Sequence, residues 1–261
     1  MLNKLLKHEL KATSNYLIPM YLVLLLLSIL DRIVLTLDIF PGTLAIIPGL
    51  ITVAYVLSII AMVVITFVLM VLRFYKNLLS DEGYLMFTLP VKTKHLVSSK
   101  LLVSILWTIL SIIAVIVSLL IVFATPERMH EFWQELSLVW EELRLQFGSN
   151  TLLLTIEFAI LMLVGISNTF LLIYLSIAVG HIFNSHKVLA SFLSYIGIST
   201  LVQMTTTLIL MTIAYFIEKS FQNLHDIPQI IFPTMIVVFL ALNILYYFAV
   251  NQVFRRNLNL E

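Results

Sequence analysis

The sequence predicts an all-α, polytopic membrane protein, on three observations. Of the 261 residues, 61% are hydrophobic and only 11% charged, with a mean hydropathy of +1.07. Soluble domains carry about 25% charged residues, so a water-soluble globule is excluded. The apolar residues also fall into six stretches of the length a membrane helix needs, roughly 20 residues for about 30 Å of hydrocarbon. Finally, the cationic residues alternate in density from one connection to the next. The absence of cysteine removes disulfide scaffolds and thiolate metal sites. A net charge of +1 gives no electrostatic footprint for nucleic acid.

The first predicted span covers about Tyr16 to Leu37. Asp31-Arg32 follows its apolar run where a cleaved signal peptide would need small residues, so it is read as a retained span. The others run from about Leu44 to Leu72, Leu101 to Ala124, Thr151 to Val179, Val188 to Ile217 and Ile230 to Val250. Several exceed the minimum, which calls for tilt or kinks, and Pro48 and Pro233 are candidate breaks. With no internal repeat, residues 1–261 are treated as one transmembrane domain.

Orientation follows from lysine and arginine, which are kept in cytoplasmic loops. With both termini inside, eleven of the fifteen fall on the cytoplasmic side and only Arg32, Arg128, Arg144 and Lys219 outside. Nine acids, Asp31 among them, then lie outside and four inside, with Glu157 left within the fourth span. The expected location is a plasma membrane, with both ends of the chain in the cytoplasm.

Three segments lie outside the spans. Residues 1–14 place Leu2, Leu5, Leu6 and Leu10 on one helical face and Lys4, Lys7 and Lys11 on the other, the pattern of a helix lying in the lipid interface or simply of a positive anchor. Residues 125–150 repeat Phe132, Leu136, Val139, Trp140, Leu143 and Phe147 at helical spacing, with Glu131, Glu135 and Glu142 on another face. Thr125-Pro126-Glu127 is a start signal and Gly148 a stop. An outer amphipathic helix is expected, either a lid on the bundle or a contact for substrate or an external partner. The inner loop, residues 73–100, groups Tyr84, Leu85, Met86, Phe87 and Leu89 amid charge, with Gly83 free to turn and Pro90 interrupting helix. Such residues either dock onto another protein or pack back on the bundle.

Asp81-Glu82-Gly83-Tyr84 through Thr88-Leu89-Pro90-Val91, then Leu96 and Ser99-Lys100, resembles the inner-loop pattern of ABC-2 type permeases, the membrane subunits of one class of bacterial ATP-binding-cassette exporter. Lys7-His8-Glu9-Leu10-Lys11 is similar to their N-terminal amphipathic segment. The resemblance implies a permease that pairs with a second copy or a related permease and with two ATPase subunits, which would bind ATP and Mg. It implies that Asp81, Glu82, Gly83, Tyr84, Leu85 and Phe87 form the coupling element, with Pro90 its hinge, and that His181 to Lys187 is a smaller second contact. Family members export peptides, drugs, lipids or polysaccharides.

The chain itself carries no nucleotide chemistry: its seven glycines include no pair spaced for a P-loop, and none spaced for a GxxxG helix pair. The six histidines are scattered, and no metal or other cofactor is expected on this chain. No enzyme activity is expected of it. Polar groups inside spans are costly and become candidates for function. Glu157 and Asn168 share a side of the fourth span, and Tyr195, Ser199, Gln203 and Thr206 share a side of the fifth. The two stripes line a substrate path, or else the polar side chains only join helices by hydrogen bonds. Alternatives to the exporter reading are an ATP-independent carrier, a membrane-embedded enzyme, and a peptide-sensing or immunity protein.

Overall fold

The computed structural model describes residues 2–37, 46–79, 83, 91–123, 125–183, 186–220 and 227–256. Among these, seven long helices and one short 3₁₀ turn account for the chain, with no strand. They are α1 (Leu2–Leu37), α2 (Ile46–Leu79), α3 (Thr93–Phe123), α4 (Pro126–Phe147), the turn Gly148–Asn150, α5 (Thr151–Gly180), α6 (Lys187–Ser220) and α7 (Ile227–Arg256). Six apolar stretches are long and apolar enough to cross a membrane. The fourth runs from Glu127 to Gly180 and takes in both α4 and α5. Its crossing part is α5, since α4 carries five glutamates in 22 residues. These are the marks of a multi-pass membrane protein. Dozens of large apolar side chains point outward along the spans, among them Leu22, Leu26, Val63, Ile112 and Leu201, as lipid contact requires.

The helices outrun the spans expected of them. At 1.5 Å per residue a helix of 30 residues is about 45 Å long, and α1, α2 and α6 have 36, 34 and 34. The surplus includes the charged ends: Arg73 and Lys76 continue α2, Lys94 and Lys100 open α3, and Arg255 and Arg256 close α7. The N-terminal segment and the first span are one continuous helix. Continuity is favoured because Thr13 is wholly buried and accepts a 2.7 Å hydrogen bond from Trp107 Nε1, so the chain is already committed to packing before Tyr16. Of the two prolines expected to break helices, Pro48 lies in the first turn of α2, where its missing N–H has no helical partner to lose. Pro233 is inside α7, and beside it Thr234 donates its hydroxyl to the Ile230 carbonyl at 2.6 Å. Helix α4 starts and stops where its signals lie: the Thr125 hydroxyl accepts from the Arg128 N–H, and Gly148 has φ +59°.

The chain forms two compact units. The first, Met1–Leu72 with Leu102–Leu138, holds α1, most of α2, the later part of α3 and the start of α4. Leu24, Tyr55, Met62 and Val122 form its core, with Tyr21, Leu27, Ile59, Ala114 and Val115 against them. The second, Arg73–Leu101 with Val139–Glu261, is built on α5, which packs along both α7 and α6. Phe74, Tyr174, Val250 and Phe254 are buried in its interior, as are Leu96 and Val97 of α3.

Within the second unit the last residue of α5, Gly180, lies directly against Ser191 of α6. A Cβ on Gly180 would collide with the backbone and hydroxyl of Ser191. Replacing Gly180 with Ala is expected to destabilise the protein by about 1–3 kcal/mol through overpacking. Gly197, on α6 in open space, is the control: its alanine variant is expected to be neutral or up to about 1 kcal/mol more stable through helix propensity. Unfolding in detergent measures both.

Candidate functional site

The connection between α2 and α3 is anchored at both ends in the second unit. At the end of α2, Phe74 is completely buried and stacked on Tyr174 of α5, with centroids 3.7 Å apart and planes 3° from parallel. Phe254 of α7 tilts against the same ring at 5.9 Å. At the start of α3, Leu96 and Val97 are buried. There Ser98 Oγ shares a 2.8 Å hydrogen bond with the Tyr247 hydroxyl, which donates to the Lys94 carbonyl at 3.2 Å. Asn77 and Lys100, both buried, are each engaged with a partner. Gly83 is also buried, and a Cβ on it would lie 2.7 Å from the Leu78 carbonyl oxygen. Its glycine is therefore required by close backbone approach. The other expected coupling residues, Asp81, Glu82, Tyr84, Leu85, Phe87 and Pro90, lie outside the described residues.

The second expected contact sits at the same end of this unit. His181 follows the last residue of α5, its Nδ1 donating to the Ile177 carbonyl at 3.0 Å. Its ring meets Tyr75 of α2 edge-on at 5.3 Å. Beyond it Ile182 and Phe183 are exposed, and His186 takes a left-handed φ of 54° before α6 begins. An apolar turn thus projects beside the end of α2 from which the inner loop leaves.

The candidate path residues lie on two helices, α5 and α6. Asn168 on α5 donates to Asn243 Oδ1 on α7 at 3.1 Å, and Asn243 returns a 3.1 Å bond to the Val164 carbonyl, so this amide joins two helices. Glu157 keeps one carboxylate oxygen, Oε2, buried without a hydrogen-bond partner. On α6, Ser199 returns its hydroxyl to the Ile196 carbonyl at 3.1 Å, while Tyr195 and Gln203 are exposed. Thr206 borders a narrow apolar crevice with Ile209, Leu210, Met235, Val238 and Phe239.

The first unit contains a polar seam not picked out from the sequence. Ser104, Ser111 and Ser118 of α3 are all buried. Ser111 meets both Tyr21 of α1 and Thr66 of α2 at 3.0 Å, and Ser118 meets Tyr55 of α2 at 3.0 Å. The signal was available: three serines seven residues apart on an otherwise apolar span mark one helical seam. Asp31 is 1% exposed and belongs to this interior. Thr52 donates to its Oδ1 at 2.7 Å, while Oδ2 is buried with no hydrogen-bond partner. Arg32 beside it reaches the Ile121 carbonyl at 2.8 Å. Ionisable groups within the spans therefore number more than Glu157 alone. No His, Asp or Glu cluster able to hold a metal occurs among the described residues.

Set beside known proteins, the chain matches no family profile, no curated protein and no solved structure.

Burial, with help from the positive charge of Lys187, holds the His181 imidazole below its ordinary 6.5, against the opposing bond to the Ile177 carbonyl. The folded chain then binds this proton less readily than the unfolded one, so the contribution to stability is whole above 6.5 and lost as pH falls through the lower folded value. Replacing His181 with Gln is expected to flatten that acid-side loss, read as a smaller drop in melting temperature in detergent between about pH 7.5 and about pH 5.5.

Proposed function

We propose that this chain is the permease subunit of an ATP-driven exporter, coupled through the loop between α2 and α3 to a separate ATPase subunit. One observation carries the reading: both ends of that loop are tied to α7, the α2 end through Phe74 against Tyr174 and Phe254 and the α3 end through Ser98 and Lys94 on Tyr247, with the exposed Ile182-Phe183 turn beside Tyr75 and His181. A force applied to the loop would reach four helices through Phe74, Tyr174, Phe254 and Tyr247, because a close-packed interior transmits displacement. The loop pattern from Asp81 to Pro90 is what ties the reading to ABC-2 type permeases. ATP and Mg would reside on two ATPase partners, since the glycines of this chain offer no phosphate loop.

In this reading both termini and the α2–α3 loop face the cytoplasm, following the eleven-to-four bias of the cations. The first 14 residues extend α1 along the inner interface, with Lys4, Lys7 and Lys11 exposed, and α4 lies at the outer surface. A second permease copy would cover α6, none of whose apolar window is buried within this chain and which exposes Gln203 and Tyr195. Exported cargo, a peptide, drug or lipid-like molecule, would pass near Glu157 and that α6 face.

Replacing Tyr84 and Phe87 with Ala is expected to abolish co-purification of the ATPase while membrane insertion stays normal. Recovery of the ATPase at the wild-type ratio would sink the coupling assignment.

A second reading, an ATP-independent carrier, draws on the unpartnered carboxylate oxygens of Asp31 and Glu157, since such groups within spans commonly serve ion coupling. It requires the purified chain alone to move substrate down an imposed proton gradient in liposomes, and Glu157→Gln to stop it. With the exporter reading, the isolated chain is expected to remain silent in that assay.

A further inference from the structure

Where α3 ends and α4 begins, the first unit holds an open pocket of about 230 Å³. Leu120 and Phe123, from the last turn of α3, and Met129 and Phe132 of α4 supply its apolar lining. Its polar lining is a guanidinium, Arg128, and two carboxylates, Glu131 and Glu135. All three sit on one face of α4, three and four residues apart. Among the described residues neither carboxylate forms an ion pair with Arg128. An Arg and a Glu three residues apart on a helix can pair, so a pocket that keeps them separate leaves one cation and two anions free for a ligand carrying both charges.

Depth narrows the ligand further. Leu120 and Phe123 close an apolar span, so whichever face of the membrane this is, the pocket opens at headgroup level with its apolar side toward the acyl chains. The ligand chemistry that fits is zwitterionic and amphiphilic. An anionic lipid would meet two carboxylates, and a cationic amphiphile would meet Arg128. Polarity along α4 sets the direction: Arg128 lies in the first turn, where the positive end of the helix dipole favours a phosphate. Glu131 and Glu135 follow along the same face and would accept from an ammonium. A primary ammonium brings three N–H donors for them, whereas a trimethylammonium brings none and favours an aromatic cage.

We propose that this pocket is a binding site for the headgroup of an aminophospholipid of the phosphatidylethanolamine type, with phosphate at Arg128, ammonium between Glu131 and Glu135, and the first acyl carbons along Phe123, Phe132 and Leu120. The site does not depend on the exporter reading: absence of an ATPase partner would leave it standing.

The test uses the full-length chain purified in detergent, with lipid retention measured by native mass spectrometry after adding phosphatidylethanolamine, phosphatidylcholine or phosphatidylglycerol at equal concentration. Phosphatidylethanolamine is expected to be retained best. Losing its charge-assisted phosphate bonds, Arg128→Gln should weaken retention roughly tenfold. The double variant Glu131→Gln with Glu135→Gln should erase the preference over phosphatidylglycerol. Leu120→Trp fills the pocket while keeping every charge, and is expected to expel the lipid; retention unchanged in this variant would mean surface charge alone is responsible and would overturn the site. Equal retention of the three lipids overturns it as well.

Discussion

Hydrocarbon offers helices neither water nor a solvent-driven reason to associate, so this protein is held together by close packing and by the few polar side chains that find one another inside it. In the first unit that requirement falls on α3. Ser111 is bonded to both Tyr21 and Thr66, Ser118 to Tyr55, and Trp107 to Thr13. Each such bond contributes only about 0.6 kcal/mol on average within a membrane. Their effect is to choose which faces of α1, α2 and α3 meet, because any other rotation would leave the same hydroxyls without partners in an apolar medium.

The second unit answers the same constraint with aromatic packing. Phe74 and Tyr174 lie face to face, and Phe254 closes the cluster. The cost of this arrangement is visible on α7, where the Tyr246 hydroxyl and Asn251 Oδ1 are buried without hydrogen-bond partners. Their position beside the loop anchor is notable because unsatisfied polar groups weaken the state that holds them. A rigid aromatic centre with polar groups left wanting partners is a reasonable base for a segment that has to be pushed, and the permease reading draws on that combination.

Polar groups in the spans separate into three kinds. Most hydroxyls, such as Ser28, Ser58, Thr155 and Ser199, return to a carbonyl three or four residues back and need nothing further. Others, Asn168 with Asn243 and Ser111 with its neighbours, bind helices together. Asp31, Glu157, Tyr246 and Asn251 each keep an oxygen buried and unpartnered, and among these four only Asp31 and Glu157 carry carboxylates. They are also the span residues whose burial is hardest to justify by structure alone.

Much of the fold was legible in order of residues. Hydropathy and length located all six spans, and Thr125, Pro126 and Gly148 bounded α4, because apolar run length and local backbone chemistry are properties of neighbouring residues. What lay beyond that reading was every decision about which side chains meet. Asp31 is visible in the sequence only as a charge near the far end of the first span, and its bond from Thr52 of another helix has no local signal. Helical period puts Asn168 on the side of Glu157, but that its amide bonds Asn243, 75 residues away, has no local signal. Gly83 read as a turn residue and Gly180 carried no signal, whereas close approach of Leu78 and Ser191 is what requires them. Sequence by itself determined the number, length and amphipathic character of the helices. Tertiary structure decided helix rotation and partner choice, because in a medium without water these depend on contacts between residues far apart in the chain.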